Sequence, residues 1–309
     1  MLSPTKLISL TLVLLASTAS AAKSDLCSHF TVISHRGFSG RAPEESKLAY
    51  LLAADLHTDY LEMDIQRTKD GVLIANHDNT FARTTNIAQV YPTRVNDQIS
   101  TFTWDEISKL ETGIWFNTKF PPFASPKILG SAILKLEDVV RVSLTHPNHP
   151  GLYIESKSPE LYPGIEKEIV DLLEKTNAFK KVKVIFQSFD SGSLEKFKEL
   201  RPEIPRVYLT EESWQKLQKN ELNTAIKVGN GIGPDFKTVP PSELSSFLHQ
   251  AHASKQMVHF WTVDDLETMN ILIQAKADGA FTNRTDLLLE ACKRMNENDI
   301  ESAIAKRLK

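Results

Sequence analysis

Short runs of apolar and β-branched residues recur along this chain, and most are separated by helical patterns. That alternation constrains the fold more than any other feature. The runs are 30–34, 60–65, 72–76, 152–155, 182–187, 206–209, Gly231–Pro234, 257–263 and Gly279–Thr282. Helical patterns cover 44–56, 160–176, 192–200, 242–254, 266–277 and 285–306. Strands that alternate with helices pair in parallel, in a sheet covered on both faces. A chain of 309 residues suits one large α/β barrel. We therefore expect a TIM-type (β/α)8 barrel. Nine runs are too many for eight strands, so at least one is a side element, and Gly231–Pro234 is the weakest of them.

Two places make the barrel irregular. Thr68-Lys69-Asp70-Gly71 joins two strands with no helix between them, and Asp-Gly is a strong turn signal. Residues 79–150 are long for one connection, and such a length in a compact domain is usually functional. We read them as an insertion beside or over the active site. A short helix is expected at 103–110, with Thr103 as cap and Glu106 three residues on.

The first residues are a separate matter. Lys6, an apolar run over 8–16 and the small residues Ala19-Ser20-Ala21 read as a secretory signal peptide covering residues 1–21. The run is well short of the ~20 apolar residues that span a bilayer. Residues 22–309 then form one exported domain, periplasmic or secreted, with no stable membrane insertion. Cys27 lies too far from the apolar run for a lipid anchor. Export also places Cys27 and Cys292 where disulfides persist. In a barrel the chain before the first strand lies at the bottom, and the last helix descends beside it, so a Cys27–Cys292 bridge is expected. Net charge is −3, without the basic excess that nucleic acid binding requires.

The chemistry concentrates at the ends of four apolar runs. In Leu61-Glu62-Met63-Asp64-Ile65 side chains alternate, so Glu62 and Asp64 share one face. Two carboxylates side by side repel, and a divalent cation resolves the repulsion. The ordinary alternative is a solvent-facing strand with two acids. Other runs end in His35-Arg36-Gly37, His77-Asp78 and Glu155-Ser156-Lys157, where TIM barrels build active sites. A lone His there is commonly structural, but two His, three acids, an Arg and a Lys converging are hard to explain as packing. Glu62, Asp64 and Glu155 offer hard oxygens suited to Ca²⁺ or Mg²⁺. His35 and His77 remain for proton transfer, and Arg36 and Lys157 for an anion.

At these residues the chain resembles the glycerophosphodiester phosphodiesterases. His35-Arg36-Gly37 with Ala42-Pro43-Glu44 looks like their opening signature. Glu62-Met63-Asp64, Thr68-Lys69-Asp70-Gly71 and His77-Asp78 follow in the family's order and spacing. The stretch from Gly151-Leu152 to Ser158-Pro159 resembles the block with the third acid and a lysine. Gln187-Ser188-Phe189-Asp190, Gly231 to Asp235, Trp261-Thr262-Val263 and Gly279 to Asn283 resemble later landmarks. With the signal peptide, the style is similar to periplasmic members.

The resemblance implies a TIM barrel with a small insertion after the second His. It implies His35 and His77 as the acid/base pair and Glu62, Asp64 and Glu155 as ligands of one divalent cation. It implies Arg36, Lys157, Glu44 and Trp261 on the substrate side, with glycerol 3-phosphate and an alcohol as products. Glu45 departs from the Asn of many members, and its charge bears on substrate preference or metal affinity. Ser156 replaces an apolar residue and should face away from the site. Two other readings stand beside this one. One is a phospholipase using Trp104, Trp115, Phe116, Phe120 and Phe123 of the insertion to reach lipid. The other is an inactive binding protein on the same scaffold.

Overall fold

The computed structural model describes residues 27–308; the signal-peptide reading of 1–21 lies outside them. Ten strands form one sheet: β1 (Thr31–Ser34), β2 (Tyr60–Arg67), β3 (Leu73–Ala75), β4 (Leu134–Lys135), β5 (Gly151–Ser156), β6 (Val184–Ser188), β7 (Arg206–Thr210), β8 (Gly231–Pro234), β9 (Met257–Phe260) and β10 (Gly279–Thr282). Eight of them pair in parallel in the order β1-β10-β9-β8-β7-β6-β5-β2, and a β1–β2 pairing closes the barrel. This is the expected TIM-type barrel.

The side element is not Gly231–Pro234, which is a full barrel strand paired with β7 and β9. Its glycines make it read weakly, yet they are what the packing demands. A Cβ on Gly231 would stand 2.4 Å from the Met257 side chain. The side element is β3. It runs antiparallel to β2 after the Thr68–Gly71 turn, and β4 adds antiparallel to β3. The Gly71 N–H closes that turn on the Thr68 carbonyl at 3.1 Å, with Gly71 at φ +84°.

Helix boundaries differ from the sequence patterns for local reasons. The first helix is Lys47–Asp55, capped by Ser46, because Glu45 at φ +61° cannot be helical. The second pattern starts only at Ile165, after Gly164 at φ +83°. The 285–306 pattern is two helices, Thr285–Ala291 and Glu297–Leu308, broken after Cys292. Within 79–150, helix Leu136–Thr145 buries Leu136, Val139, Val140 and Val142 in the main core. The preceding stretch has a small core of its own, built on Ile74, Phe81, Ile99, Phe102 and Ile107. Its helix Trp104–Ile107 carries the expected Thr103/Glu106 capping box.

The strand alternation decides which residues face the site. Leu61, Met63 and Ile65 pack outward into the core between sheet and helices. Glu62 and Asp64 point into the barrel. There, Ile33, Tyr153, Ile185, Val207 and Phe281 form an apolar floor. In register, Asp64 stands beside Glu155 and Glu155 beside Gln187. Burying the outward faces is what forces the carboxylates inward, since a one-residue slip would invert both sets.

Cys27 and Cys292 are joined by a disulfide, with their Cα atoms 5.3 Å apart and a sequence separation of 265. Among the described residues no helix is long and apolar enough to cross a membrane. A crosslink closing so long a loop restricts the unfolded chain, which is worth up to about 5 kcal/mol. Native protein should therefore show no titratable thiol, and reduction should lower its thermal midpoint. Two titratable thiols before reduction, or an unchanged midpoint after reduction and alkylation, would contradict the bridge.

Candidate active site

A cavity of about 520 Å³ opens at the carboxyl ends of the barrel strands. It is lined by His35, Arg36, Glu62, His77, Glu155, Lys157 and Trp261. Asp64 lies buried among them, in contact with Arg36 and Lys157. Glu44 stands behind Arg36, which donates to it at 3.1 Å. The structure thus gathers into one place every site residue read from the sequence.

The carboxylates of Glu62, Asp64 and Glu155 come within 4.8 Å of one another, and all three are buried. Burial first, then Asp64 and Glu155, holds Glu62 well above the usual carboxylate range. Burial and then the Asp64 charge push Glu155 up to about 8. Asp64 goes the other way: it too is buried, but Lys157 and Arg36 outweigh that and hold it well below the usual range. Lys157 Nζ lies 3.0 Å from Glu155 and 3.6 Å from Asp64, and Arg36 Nε 3.0 Å from Asp64.

Six carboxylates gather here, and the three cations Arg36, Arg83 and Lys157 pair with only four of them, Glu44, Asp64, Asp78 and Glu155, leaving Glu45 and Glu62 without a cationic side chain. The group is short of positive charge. Gln187 Oε1 is buried without a hydrogen-bond partner, and Asp64 Oδ2 has only its ion pair with Arg36 Nε. A hard divalent cation fits such a donor set, because it answers the repulsion and uses oxygens.

The two histidines sit in different company. His35 Nδ1 lies 2.8 Å from Asn283 Oδ1, and the Asn283 amide donates its Nδ2 to Asp264 at 2.7 Å. That fixes the amide, so Nδ1 of His35 is the donor and Nε2 is left with its lone pair. Burial and then the Arg36 charge lower His35 to about 3, so the ring is neutral. His77 Nδ1 lies 2.7 Å from Asp78 Oδ1. Burial opposes it, but that hydrogen bond and Arg83 hold Asp78 well below the usual carboxylate range, so it accepts from Nδ1. Arg83 also donates two bonds to Glu44, at 2.7 and 2.8 Å, and ties the two loops together.

Local backbone conformation sets up these contacts. Arg36 is at φ +57°, and its N–H donates to Glu62 Oε2 at 2.8 Å. Gly37 follows because a Cβ there would stand 2.7 Å from the Ala49 backbone. Strained residues of this kind persist where the surroundings over-determine them.

This constellation was compared with known proteins. The family model of the glycerophosphoryl diester phosphodiesterase family matches residues 35–287. The chain belongs to that family. It is therefore an enzyme, a phosphodiesterase of glycerophosphodiesters. It is 34% identical over 276 residues to a glycerophosphodiester phosphodiesterase of Bacillus subtilis, covering 87% of this chain and 89% of that one. It is 30% identical to one from Caldanaerobacter subterraneus, over 85% of this chain and 98% of that one. Its fold is similar to an Oleispira antarctica phosphodiesterase solved with the product sn-glycerol-3-phosphate, at TM-score 0.67 and 23% identity, covering 85% and 96%. A glycerophosphodiester phosphodiesterase of Agrobacterium tumefaciens gives TM-score 0.65 at 21% identity, covering 84% and 99%.

Sequence reading passed over several contributors. Asn283, itself held by Asp264, reaches His35 across 248 positions, and Arg83 holds Asp78, the partner of His77, while reaching Glu44 across 39. Gln187 donates to Glu62 at 2.8 Å, and its place inside the barrel follows from register with Glu155. Ser156 does face away, toward Ser193 at 2.7 Å. The insertion's Trp115, Phe116 and Phe120 pack on one another, with Phe116 fully buried.

Glu45 proves to be a buried bracket. Its carboxylate accepts the Asp64 N–H at 2.9 Å and the Tyr50 hydroxyl. Burial, Asp64 and Glu62 push its pKa well above the usual range. Glu45→Ala leaves two buried donors unpaired and is expected to cost about 2–4 kcal/mol. Glu45→Gln keeps the Asp64 N–H on Oε1 and turns Nε2 to donate to the Tyr50 oxygen, without the charge, and should be more stable than the Ala variant. Chemical denaturation checks both; a stable Ala variant, or a Gln variant as damaged as Ala, would contradict this role.

Proposed function

We propose that the enzyme hydrolyses glycerophosphodiesters to glycerol 3-phosphate and an alcohol, using His35 and His77 for proton transfer and one divalent cation, Ca²⁺ or Mg²⁺. The observation that carries this reading is the pairing of two differently partnered imidazoles with a buried three-carboxylate cluster in one cavity. We also propose export of residues 22–309 as one domain with its insertion in 79–150. The disulfide and the N-terminal pattern support that placement.

Glu62, Asp64 and Glu155 would hold the cation, with Gln187 orienting Glu62. Bound there, it would supply positive charge that lowers the pKa of a neighbouring hydroxyl and offsets the phosphate. The chain's own groups do the rest. The substrate supplies its own nucleophile, the glycerol hydroxyl next to the phosphorylated carbon, so attack on phosphorus is intramolecular. His35 Nε2, neutral and with a free lone pair, removes the hydroxyl proton. The new P–O bond forms as the bond to the alcohol breaks. His77, held at Nδ1 by Asp78, gives a proton from Nε2 to the departing oxygen. Water then opens the cyclic phosphate: His77 takes its proton and His35 returns one to the glycerol oxygen. Arg36 and Lys157 share the charge that builds on the phosphoryl oxygens.

Product analysis on a panel of glycerophosphodiesters tests the reading. Exhaustive chelation should abolish turnover, and Ca²⁺ or Mg²⁺ should restore it; full activity in excess chelator would sink the metal assignment. His35→Ala and His77→Ala should each lower kcat by ~10²–10⁴ with little change in KM. A substrate lacking the neighbouring hydroxyl should bind yet stay intact. Turnover of that analogue near the parent's rate would mean that water attacks directly, leaving the site but not the cyclic phosphate.

A further inference from the structure

The two halves of the cavity mouth are built from different chemistry. β1, β2 and β5 carry His35, Arg36, Glu62, Asp64, Glu155 and Lys157. Across from them, the ends of β6, β7 and β9 contribute Phe189, Leu209, Glu211, Trp261 and Thr262. The phosphate belongs with the first half. The glycerol belongs there too, because its hydroxyl must reach His35. The other substituent on phosphorus, the leaving alcohol, then extends toward the second half.

That half offers one charge. Glu211 lies just past the end of β7, exposed, and lines the cavity. Among the described residues it has no hydrogen-bond or ion-pair partner, whereas the adjacent Glu212 is held by Lys216 at 2.9 Å. The same half of the mouth holds an aromatic pair. Phe189 and Trp261 meet edge to face, their centroids 5.5 Å apart. Trp261 is fixed by its indole N–H, which donates to the Gly233 carbonyl at 2.7 Å. The Lys157 ammonium lies over Phe189 at 5.6 Å, so that ring already faces a cation and Trp261 is the one left for a ligand. An indole ring and an unpaired carboxylate lining the same half of a cavity are groups that an alkylammonium binds.

We propose that Glu211 and Trp261 form a subsite for a leaving alcohol that carries an ammonium group, and that the enzyme favours glycerophosphodiesters of amino alcohols over those of neutral polyols. The proposal rests on the hydrolysis described above and adds its head-group preference. A neutral polyol gains nothing from Glu211, and an anionic head group is repelled by it. The carboxylate is solvated, so the preference is modest and weakens with salt.

Internal competition between glycerophosphocholine and glycerophosphoglycerol at low ionic strength tests this, with choline and glycerol release measured in one tube. The product ratio reports the ratio of kcat/KM values and does not depend on how much of a variant is folded. Wild type should favour the choline ester by about three- to tenfold. Glu211→Gln should bring the ratio near one, and Glu211→Lys should invert it. A wild-type ratio at or below one overturns the subsite while leaving glycerophosphodiester hydrolysis intact. So does a preference that Glu211→Gln leaves unchanged. Failure to cleave either ester overturns both the subsite and the hydrolysis on which it rests.

Discussion

Glu62, Asp64 and Glu155 sit buried within 4.8 Å of one another, and much of the surrounding structure answers that fact. Placing like charges together inside a barrel raises the free energy of the folded chain unless something compensates. Arg36 and Lys157 compensate in part, and both are drawn onto the carboxylates. They cannot then serve an anion well. A cation in the cluster would release them, and metal binding would then be coupled to phosphate binding through the same two side chains.

The surrounding residues hold this arrangement in place. Arg36 in a left-handed conformation aims its N–H at Glu62, and Glu45 pins the Asp64 backbone. Arg83 binds both Glu44 and Asp78, so the loop after β1 and the loop after β3 are bridged by one side chain. Asp264 and Asn283 set the tautomer of His35 from the loops after β9 and β10, the strands next to β1 in the barrel. Glu45, Arg83, Asp264 and Asn283 need not touch substrate. They make two chemically equal imidazoles unequal, one beside a neutral amide and the other beside a carboxylate.

The barrel and the core of its site were legible in the sequence because they follow from short-range rules. Alternation on Leu61–Ile65 separates core residues from carboxylates, and that holds in β2. Chain order around a barrel predicted that Cys27 and Cys292 meet. What escaped depends on long-range geometry. Gly231–Pro234 looks poor as a strand, and only its neighbours Met257 and Leu209 show why glycine is required. Leu73–Ala75 looks like a barrel strand, and only its antiparallel pairing with β2 shows that it is not. The helix Leu136–Thr145 was hidden inside a stretch read as one connection. Glu45 reads as a charge near a phosphate, and burial against Tyr50 makes it a structural bracket instead.

The central claim is that the three carboxylates form one site for a hard divalent cation. Calorimetric titration of chelator-stripped protein with Ca²⁺ and with Mg²⁺ tests it without any substrate. The account predicts saturable binding of one ion per chain, heat that disappears in Asp64→Asn, and a thermal midpoint that rises with free ion as linkage requires. Absence of binding by either ion, or equal binding by wild type and Asp64→Asn, would contradict it.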